Sequence, residues 1–593
     1  MHIYKSNYPS VPLTDESIVD FLLALPLSRS RRSSVDSVTK ETKTRGQVFD
    51  EALSLARGLI LRKQAKPGQV ALILGKTSVD YPVVALGCMA AGLIPSLASA
   101  ACSPPELLYQ LQDCKASFVF VDPELLPVVL EAYKILHKSS TPPATPFSDD
   151  KYALQHTILS RRQSASLRAL EAAQGASMGA EGGAVPSDTS FASYVDLLVP
   201  AHKATKSVVV PVPLGPEGSQ QTAVLCYSSG TTGLPKGVEL THRNLTSVLK
   251  QFKLSMPKCD GEDDSTPAFL PMYHIYGFVK LVLAPLHQGY SVIVLPKFSV
   301  KPFCQLVEKY KCTFALVAPP VLIAVSKSPE TDHHDLSSLR WFMTGAAPCG
   351  EDLTLEVERK FAKYGTVVVQ GYGSTETAPA SCILDTNFAK SHRGCVGALV
   401  PNMEARLVND DEKDVPVGSS GELWVRGPNI MKGYLGKPDA TKNALTSDGW
   451  YKTGDVCTID EHGIFKIVDR KKELIKVKGF QVAPAELEGI LLGHPEIADI
   501  GIVGVWEDSL ATELPRAYIV PAAGMATLES EKAKHLLVEE INLWLKPKVA
   551  HYKQLIGGTA FVEELPRLPS GKILRRTLRD IAKAERAPVR AKL

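Results

Sequence analysis

Short apolar runs recur along the chain with amphipathic stretches between them. VALILG (70–75), FVFVD (118–122), AVLCYS (223–228), SVIVLP (291–296), FALVAP (314–319) and RWFMTG (340–345) predict buried strands. Residues 244–254, 275–288, 301–310 and 351–363 repeat apolar positions at helical spacing and predict helices. Strands that alternate with helices in this way imply βαβ units and parallel sheets, an α/β fold. The most apolar stretch, Pro82 to Cys102, is broken by Pro95 and interspersed with Gly, Ser and Ala. A membrane span wants ~20 continuous apolar residues. A buried helix (83–91) running into a turn and a strand is the expectation, with no transmembrane segment.

Two stretches break the rhythm. SRSRRSSVDSVTKETKTR (28–45) is polar and charged, and residues 138–190 are rich in Ser, Ala, Gly and Pro. Such composition buries too little apolar area to offset the entropy of ordering a chain, so both predict mobile surface insertions. After residue 400 short strands dominate (EARLV, GELWVRG, IFKIVD), which predicts a β-rich subdomain over about 400–469. A compact α+β segment follows, with strands LIKVKG, DIGIVGVW and RAYIVPA and helices at 484–492, 532–546 and 572–585. The division expected is a large N-terminal domain over 1–469 and a small, mobile α+β C-terminal domain over 470–593.

Composition narrows the classes. The chain has 593 residues, enough for about three to five folding units. Its 45% hydrophobic and 22% charged residues are globular values. A net charge of +3 is too weak to point to nucleic acid. Eleven cysteines stand singly, without a C-x-x-C pair, which argues against a zinc site or a disulfide framework and fits a reducing compartment. MHIYKSNYPS lacks a basic start followed by an apolar core, so no secretory signal is expected. Ala591-Lys592-Leu593 matches the small–basic–Leu peroxisomal address after the exposed-looking run ERAPVR. The expectation is a peroxisomal protein with the import receptor as partner; the alternative is an ordinary basic tail.

The chemistry lies in a twelve-residue run, Tyr227-Ser-Ser-Gly-Thr-Thr-Gly-Leu-Pro-Lys-Gly-Val238. Gly230, Gly233 and Gly237 let the backbone turn tightly and approach an anion. Ser228, Ser229, Thr231 and Thr232 add hydroxyls and Lys236 adds a positive charge, which suits a polyphosphate. A strand before the loop and a helix after it are expected. Gly237 follows Lys236, so the run is not the G-x-x-x-x-G-K-[ST] loop, whose hydroxyl holds Mg²⁺.

The run resembles the phosphate loop of the adenylate-forming superfamily, and within it the 4-coumarate–CoA ligase branch. The resemblance extends over nearly the whole chain through further motifs. Gln370-Gly371-Tyr372-Gly373-Ser374-Thr375-Glu376 follows a strand, where α/β sheets place ligands. By resemblance Tyr372 stacks on adenine, Thr375 bonds the α-phosphate and Glu376 holds Mg²⁺. Ser374 stands where the family usually has Met. Thr453-Gly454-Asp455 resembles the ribose-binding turn, with Arg470 as a second ribose contact. Lys471 to Gln481 resembles the hinge, with Lys472 at the pivot of a domain that turns between an adenylation pose and a thioester pose. Lys476, Gly479, Phe480 and Gln481 would serve the second pose; Lys478 reads as solvent-facing. Lys572, in Pro569-Ser570-Gly571-Lys572, corresponds to the lysine that contacts the substrate carboxylate and α-phosphate. A cation there stabilises the charge that builds on pentavalent phosphorus. Arg575, Arg576 and Arg579 read as a solvated helix face.

In Pro271-Met-Tyr-His274-Ile-Tyr276-Gly-Phe278, His274 would gate the carboxylate pocket by resemblance, though a single histidine is more often structural. Amino-acid-activating members carry an aspartate on this helix; none lies between His274 and Pro285. The resemblance lines the acid pocket with Tyr276, Lys280, Gly345, Ala346, Gly371, Gly373, Pro379 and Ala380. Tyr276 and Lys280 are i,i+4 and would share one helix face. A pocket lysine favours an acid with a distal acceptor or second anionic group, unless it snorkels to solvent.

The resemblance implies an AMP-forming carboxylic acid–CoA ligase that uses ATP, Mg²⁺ and coenzyme A. The alternatives are a luciferase-like oxidoreductase and a stand-alone adenylation enzyme that loads a carrier protein.

Overall fold

The computed structural model describes residues 2–138, 157–159, 192–204, 208–228, 234–259, 261, 263–477, 480–507, 510, 512–567 and 571–590. All six apolar runs are strands. Val70–Leu74 lies at the centre of an eight-stranded sheet and is buried on both faces, as an interior parallel strand must be. Ile94–Ala98 and Phe118–Val121 flank it in parallel, and Thr222–Ser228 follows Ile94–Ala98. A second sheet runs in the order Phe314–Val317, Trp341–Thr344, Val367–Tyr372, its first three strands parallel. Helices close the crossovers and carry their own caps. Arg45–Lys63, Pro104–Asp113 and His242–Ser255 each begin with a capping box, built on Thr44, Ser103 and Thr241.

Glu404–Val408, Gly421–Arg426, Tyr451–Ile459 and Phe465–Arg470 pair in antiparallel order. Beyond them, Ile497–Glu507, Thr512–Pro521 and Thr559–Phe561 form a small sheet packed by Pro484–Leu491 and Arg575–Arg590. The whole is a mixed α/β architecture. No helix among the described residues is long and apolar enough to cross a membrane.

Three expectations are corrected. Residues 28–45 are not a loose insertion: Arg32–Asp36 and Thr42–Thr44 pair, and Arg32–Asp36 joins Ser291–Val294 in a parallel sheet. Polar composition misleads there because partners elsewhere satisfy the charges. Lys43 is 2% exposed, its amine held by Glu51 at 2.9 Å and Asp80 at 3.2 Å, and buried Arg45 donates to Leu27 O and Leu286 O. Most of 138–190 lies outside the described residues, but Thr157–Leu159 is a buried strand beside Phe118–Val121. The helix expected over 275–288 is three pieces: Ile275–Gly277, a π-helical segment Phe278–Leu283, and Ala284–Gln288.

Candidate active site

The ends of these elements meet around a cavity of about 950 Å³. Thr222–Ser228 delivers Ser228 to its wall. The next element is a strand, Lys236–Thr241, which pairs back so that Lys236 faces Ser228. The helix expected directly after the loop is thus displaced by one strand. The segment expected to bind phosphate connects two antiparallel strands. Ser229, Gly230, Thr231, Thr232 and Gly233 lie outside the described residues. Lys236 pairs with no carboxylate among the described residues; its amine lies 4.8 Å from the centre of the Tyr434 ring.

Val367–Tyr372 ends at the same cavity. Gly373 is required by space, because a Cβ there would stand 1.9 Å from Pro379 O. The short helix Thr375–Thr377 then turns Thr375 and Glu376 to the wall. Glu376 is 7% exposed, and its Oε1 accepts from Ser228 Oγ at 3.1 Å and Tyr434 Oη at 3.0 Å. Gln370 does not join the site: its amide donates to Cys349 O at 2.9 Å and braces the strand.

Asp455 and Arg470 sit opposite each other in register on neighbouring strands. Arg470 Nε lies 3.1 Å from Asp455 Oδ1, and Tyr372 Oη donates to Oδ2 at 2.6 Å. Burial raises the Asp455 carboxyl, and Arg470 and Tyr372 work against it. Burial also works against the Arg470 charge, but Asp455 and Glu473 outweigh it and raise its pKa.

Lys572 enters from the C-terminal domain. Gly571, at φ +86°, packs against Ala318 and Pro320 of the large domain. Burial, with Arg470 nearby, lowers Lys572 to about 8, although Glu473 and Asp455 oppose the shift. His274 lines the same wall, and burial, with Lys572, holds it down at about 4. Its Nδ1 accepts from Tyr276 N at 3.3 Å, so the neutral ring carries its proton on Nε2.

The residues expected to wall the acid arm, Tyr276, Gly345, Ala346, Gly371, Pro379 and Ala380, line the same cavity as His274. The Tyr276 hydroxyl donates to Met343 O at 3.1 Å. Lys280 lines the cavity together with Tyr276, four residues before it, and the π-helical turn that begins at Phe278 does not part the two. Lys280 does not snorkel to solvent: it is 1% exposed.

The residues expected to serve a second pose are elsewhere. Lys476 is exposed, with its backbone N–H donating to Glu513. Phe480 is 53% exposed and stacks on Tyr552 at 4.3 Å. Gly479 and the Gln481 side chain lie outside the described residues, while Lys472 lines the cavity from the turn after Arg470. Sequence reasoning missed Tyr434, which joins Lys236 to Glu376, and Glu422, which holds Lys471 at 2.9 Å. Neither sits in a motif. Arg575 is corrected as well. It is 8% exposed and bound to Glu488 and Glu473 at 2.5–2.9 Å.

Residues 28–435 match the family described as AMP-binding enzyme, and residues 486–572 match its C-terminal domain. The chain is 32% identical over 579 residues to a probable 4-coumarate–CoA ligase 1 of Dictyostelium discoideum, covering 97% of each. It is 34% identical over 592 residues to 4-coumarate–CoA ligase-like 4 of Oryza sativa subsp. japonica, covering 98% of this chain and 96% of that one. Among solved structures, the anthranilate CoA ligase AuaEII in complex with anthranoyl-AMP shares the fold, with a TM-score of 0.78 at 24% identity over 97% of this chain and 99% of that one.

Proposed function

Because the chain belongs to the AMP-binding enzyme family and is an AMP-forming acyl/aryl-CoA ligase, we propose the following division of labour among its residues. The acid's carboxylate oxygen attacks the α-phosphorus of ATP, the bond to the β-phosphate oxygen breaks, and pyrophosphate leaves. Lys236 and the turn after Ser228 hold the departing phosphates. Tyr372 packs on the adenine, and Asp455 with Arg470 holds the ribose. Lys572 and Thr375 lie against the reacting α-phosphate, where negative charge grows. The CoA sulfur then attacks the acyl carbon, its proton passes to solvent, and AMP leaves. His274, neutral through burial, stands between the acid arm and the nucleotide without adding charge to the carboxylate's approach.

The site suits Mg²⁺. No group of three or more His, Cys, Asp or Glu among the described residues could cage a metal. A lone buried carboxylate, Glu376, ringed by the Ser228 and Tyr434 hydroxyls, matches a cation that takes one or two carboxylates and completes its shell with phosphate oxygens and water. Bound there, Mg²⁺ would neutralise charge on the phosphates.

One observation carries this reading. Glu376 and Tyr372 of the large domain line one cavity with Arg470 and with Lys572 of the small domain, and Asp455 holds Arg470 and Tyr372 from behind, which suits adenylation. Lys476 and Phe480, turned to solvent, would come in during a second pose for the CoA step. The test is pyrophosphate release across a panel of aryl and acyl acids, with and without CoA. Acid-dependent release, followed by AMP and thioester only when CoA is present, is expected. Acid-independent release would overturn the reading.

A peroxisomal home is proposed from Ala591-Lys592-Leu593 alone. A fluorescent protein fused ahead of the chain should co-localise with peroxisomes and lose them when these three residues are removed.

A further inference from the structure

We infer that the acid arm is built for a carboxylic acid bearing an oxygen acceptor at the end remote from its reacting carboxyl, with the Lys280 amine as its partner. This rests on the ligase reading above and adds the substrate class to it.

Lys280 lies in the π-helical segment Phe278–Leu283 and is one of the residues lining the cavity, although its amine rests against Phe252 and Met256, which do not line it, so the stem must swing to bring the amine to a bound acid. At 1% exposure it is among the largest fully buried side chains of the described structure. Its amine sits over the Phe252 ring, 3.1 Å from the centre, and against the Met256 sulfur. No carboxylate among the described residues pairs with it. The Tyr290 hydroxyl takes its carbonyl oxygen, which pins the backbone and leaves only the flexible stem to move. Burial drives the amine well below the ordinary lysine range, as expected of a cation with no counter-charge.

An amine set in apolar surroundings without an oxygen acceptor is costly. A ring face and a thioether are weak substitutes. Tyr276, Ala346, Pro379 and Ala380 would suffice to line a pocket for a plain aryl or alkyl tail. With Lys280 present, a plain tail leaves the amine unpaired, whereas an acid ending in an oxygen acceptor pairs it. Sites built to bond a polar group reject analogues lacking it far more strongly than apolar pockets reject an extra methylene.

The experiment uses the full-length chain with ATP, Mg²⁺ and CoA. AMP and thioester are followed for matched acids of graded length, each ending in a methyl, a keto or hydroxyl oxygen, or a second carboxylate. Parallel series run with Lys280→Met and Lys280→Ser, two replacements of different volume, so that failure of one to fold leaves the other. The unmodified enzyme should favour an oxygen-ended acid over its methyl-ended match by about tenfold or more in kcat/KM. Both variants should erase that ratio. The keto, hydroxyl and carboxylate arms tell whether the amine binds as a neutral donor or as a cation, and a preference for any of them supports the inference. A preference for methyl-ended acids by the unmodified enzyme, or an unchanged ratio in the folded variants, overturns it. Thioester from methyl-ended acids alone sinks only this inference; no thioester from any acid sinks the ligase reading along with it.

Discussion

The Tyr372 hydroxyl donates to Asp455 Oδ2 at 2.6 Å while Arg470 Nε lies 3.1 Å from Oδ1, so both carboxylate oxygens are oriented by neighbours. A carboxylate held in this way presents its remaining lone pairs in fixed directions, as a ribose diol requires. Asp455→Asn keeps the shape but replaces one acceptor with a donor. Hydrogen bonds to charged groups contribute about 1.5–3 kcal/mol, so its KM for ATP should rise by about tenfold to a hundredfold. Tyr372→Phe removes only the orienting bond and should raise KM less. ATP titrations of pyrophosphate release check the order; a larger effect from Tyr372→Phe would mean the tyrosine hydroxyl itself holds the nucleotide.

Lys572 carries a pH signature. Its amine is lowered to about 8, first by burial and then by Arg470. A catalyst that acts as a cation is lost as pH rises through its pKa, and kcat/KM reports the free enzyme. The kcat/KM for pyrophosphate release should therefore fall above pH 8, where an ordinary lysine would still be charged. Lys572→Arg should remove that alkaline limb. Lys572→Ala should abolish adenylate formation while added acyl-AMP still yields thioester with CoA.

Arg575 supplies a stability prediction. It is buried beneath the small domain's sheet, with Glu488 bound through both terminal nitrogens and Glu473 through Nε. Arg575→Ala leaves two carboxylates with no guanidinium, and breaking a buried pair costs about 3–5 kcal/mol. The loss should show as an earlier denaturant transition of the small domain. Arg575→Lys should recover only part of it, because an ammonium cannot span both oxygens of Glu488.

These residues also show where sequence reading reached and where it stopped. The apolar runs fixed the strands, because a strand buried on both faces has little choice of composition. Glycine, hydroxyl and lysine at close spacing marked the phosphate turn, and short motifs carried Glu376, Asp455 and Lys572. Partners far apart in the chain left no such trace. Arg575 looks like a solvated helix position until Glu473, 102 residues away, folds onto it. Lys43 and Arg45 made 28–45 look loose, since nothing local announces that Glu51, Asp80 and the Leu286 carbonyl will satisfy them. The π turn at Phe278 was hidden for another reason: the periodicity of 275–288 fits a regular helix equally well.

The seam that seats Lys572 in the cavity can be tested apart from the chemistry. Gly489, inside Pro484–Leu491 of the small domain, faces Gly350, which precedes helix Glu351–Lys360 of the large one; a Cβ on Gly489 would lie 3.8 Å from Gly350 Cα. Lys327 Nζ reaches Ile497 O across the same boundary at 3.3 Å. An alanine fits that gap, and a leucine does not. Gly489→Leu should push the domains apart, and a displacement of about 1 Å at a reacting centre costs about a hundredfold in rate. If the CoA step takes place in the proposed second pose, Gly489 would no longer face Gly350 there. Gly489→Leu should therefore lose pyrophosphate release while still converting added acyl-AMP to thioester, and Gly489→Ala should behave as the unmodified chain does in both. Thermal unfolding of each variant separates a wedge from a folding defect. Equal loss of both half-reactions in a folded Gly489→Leu enzyme would show that the seam does not belong to the adenylation pose alone.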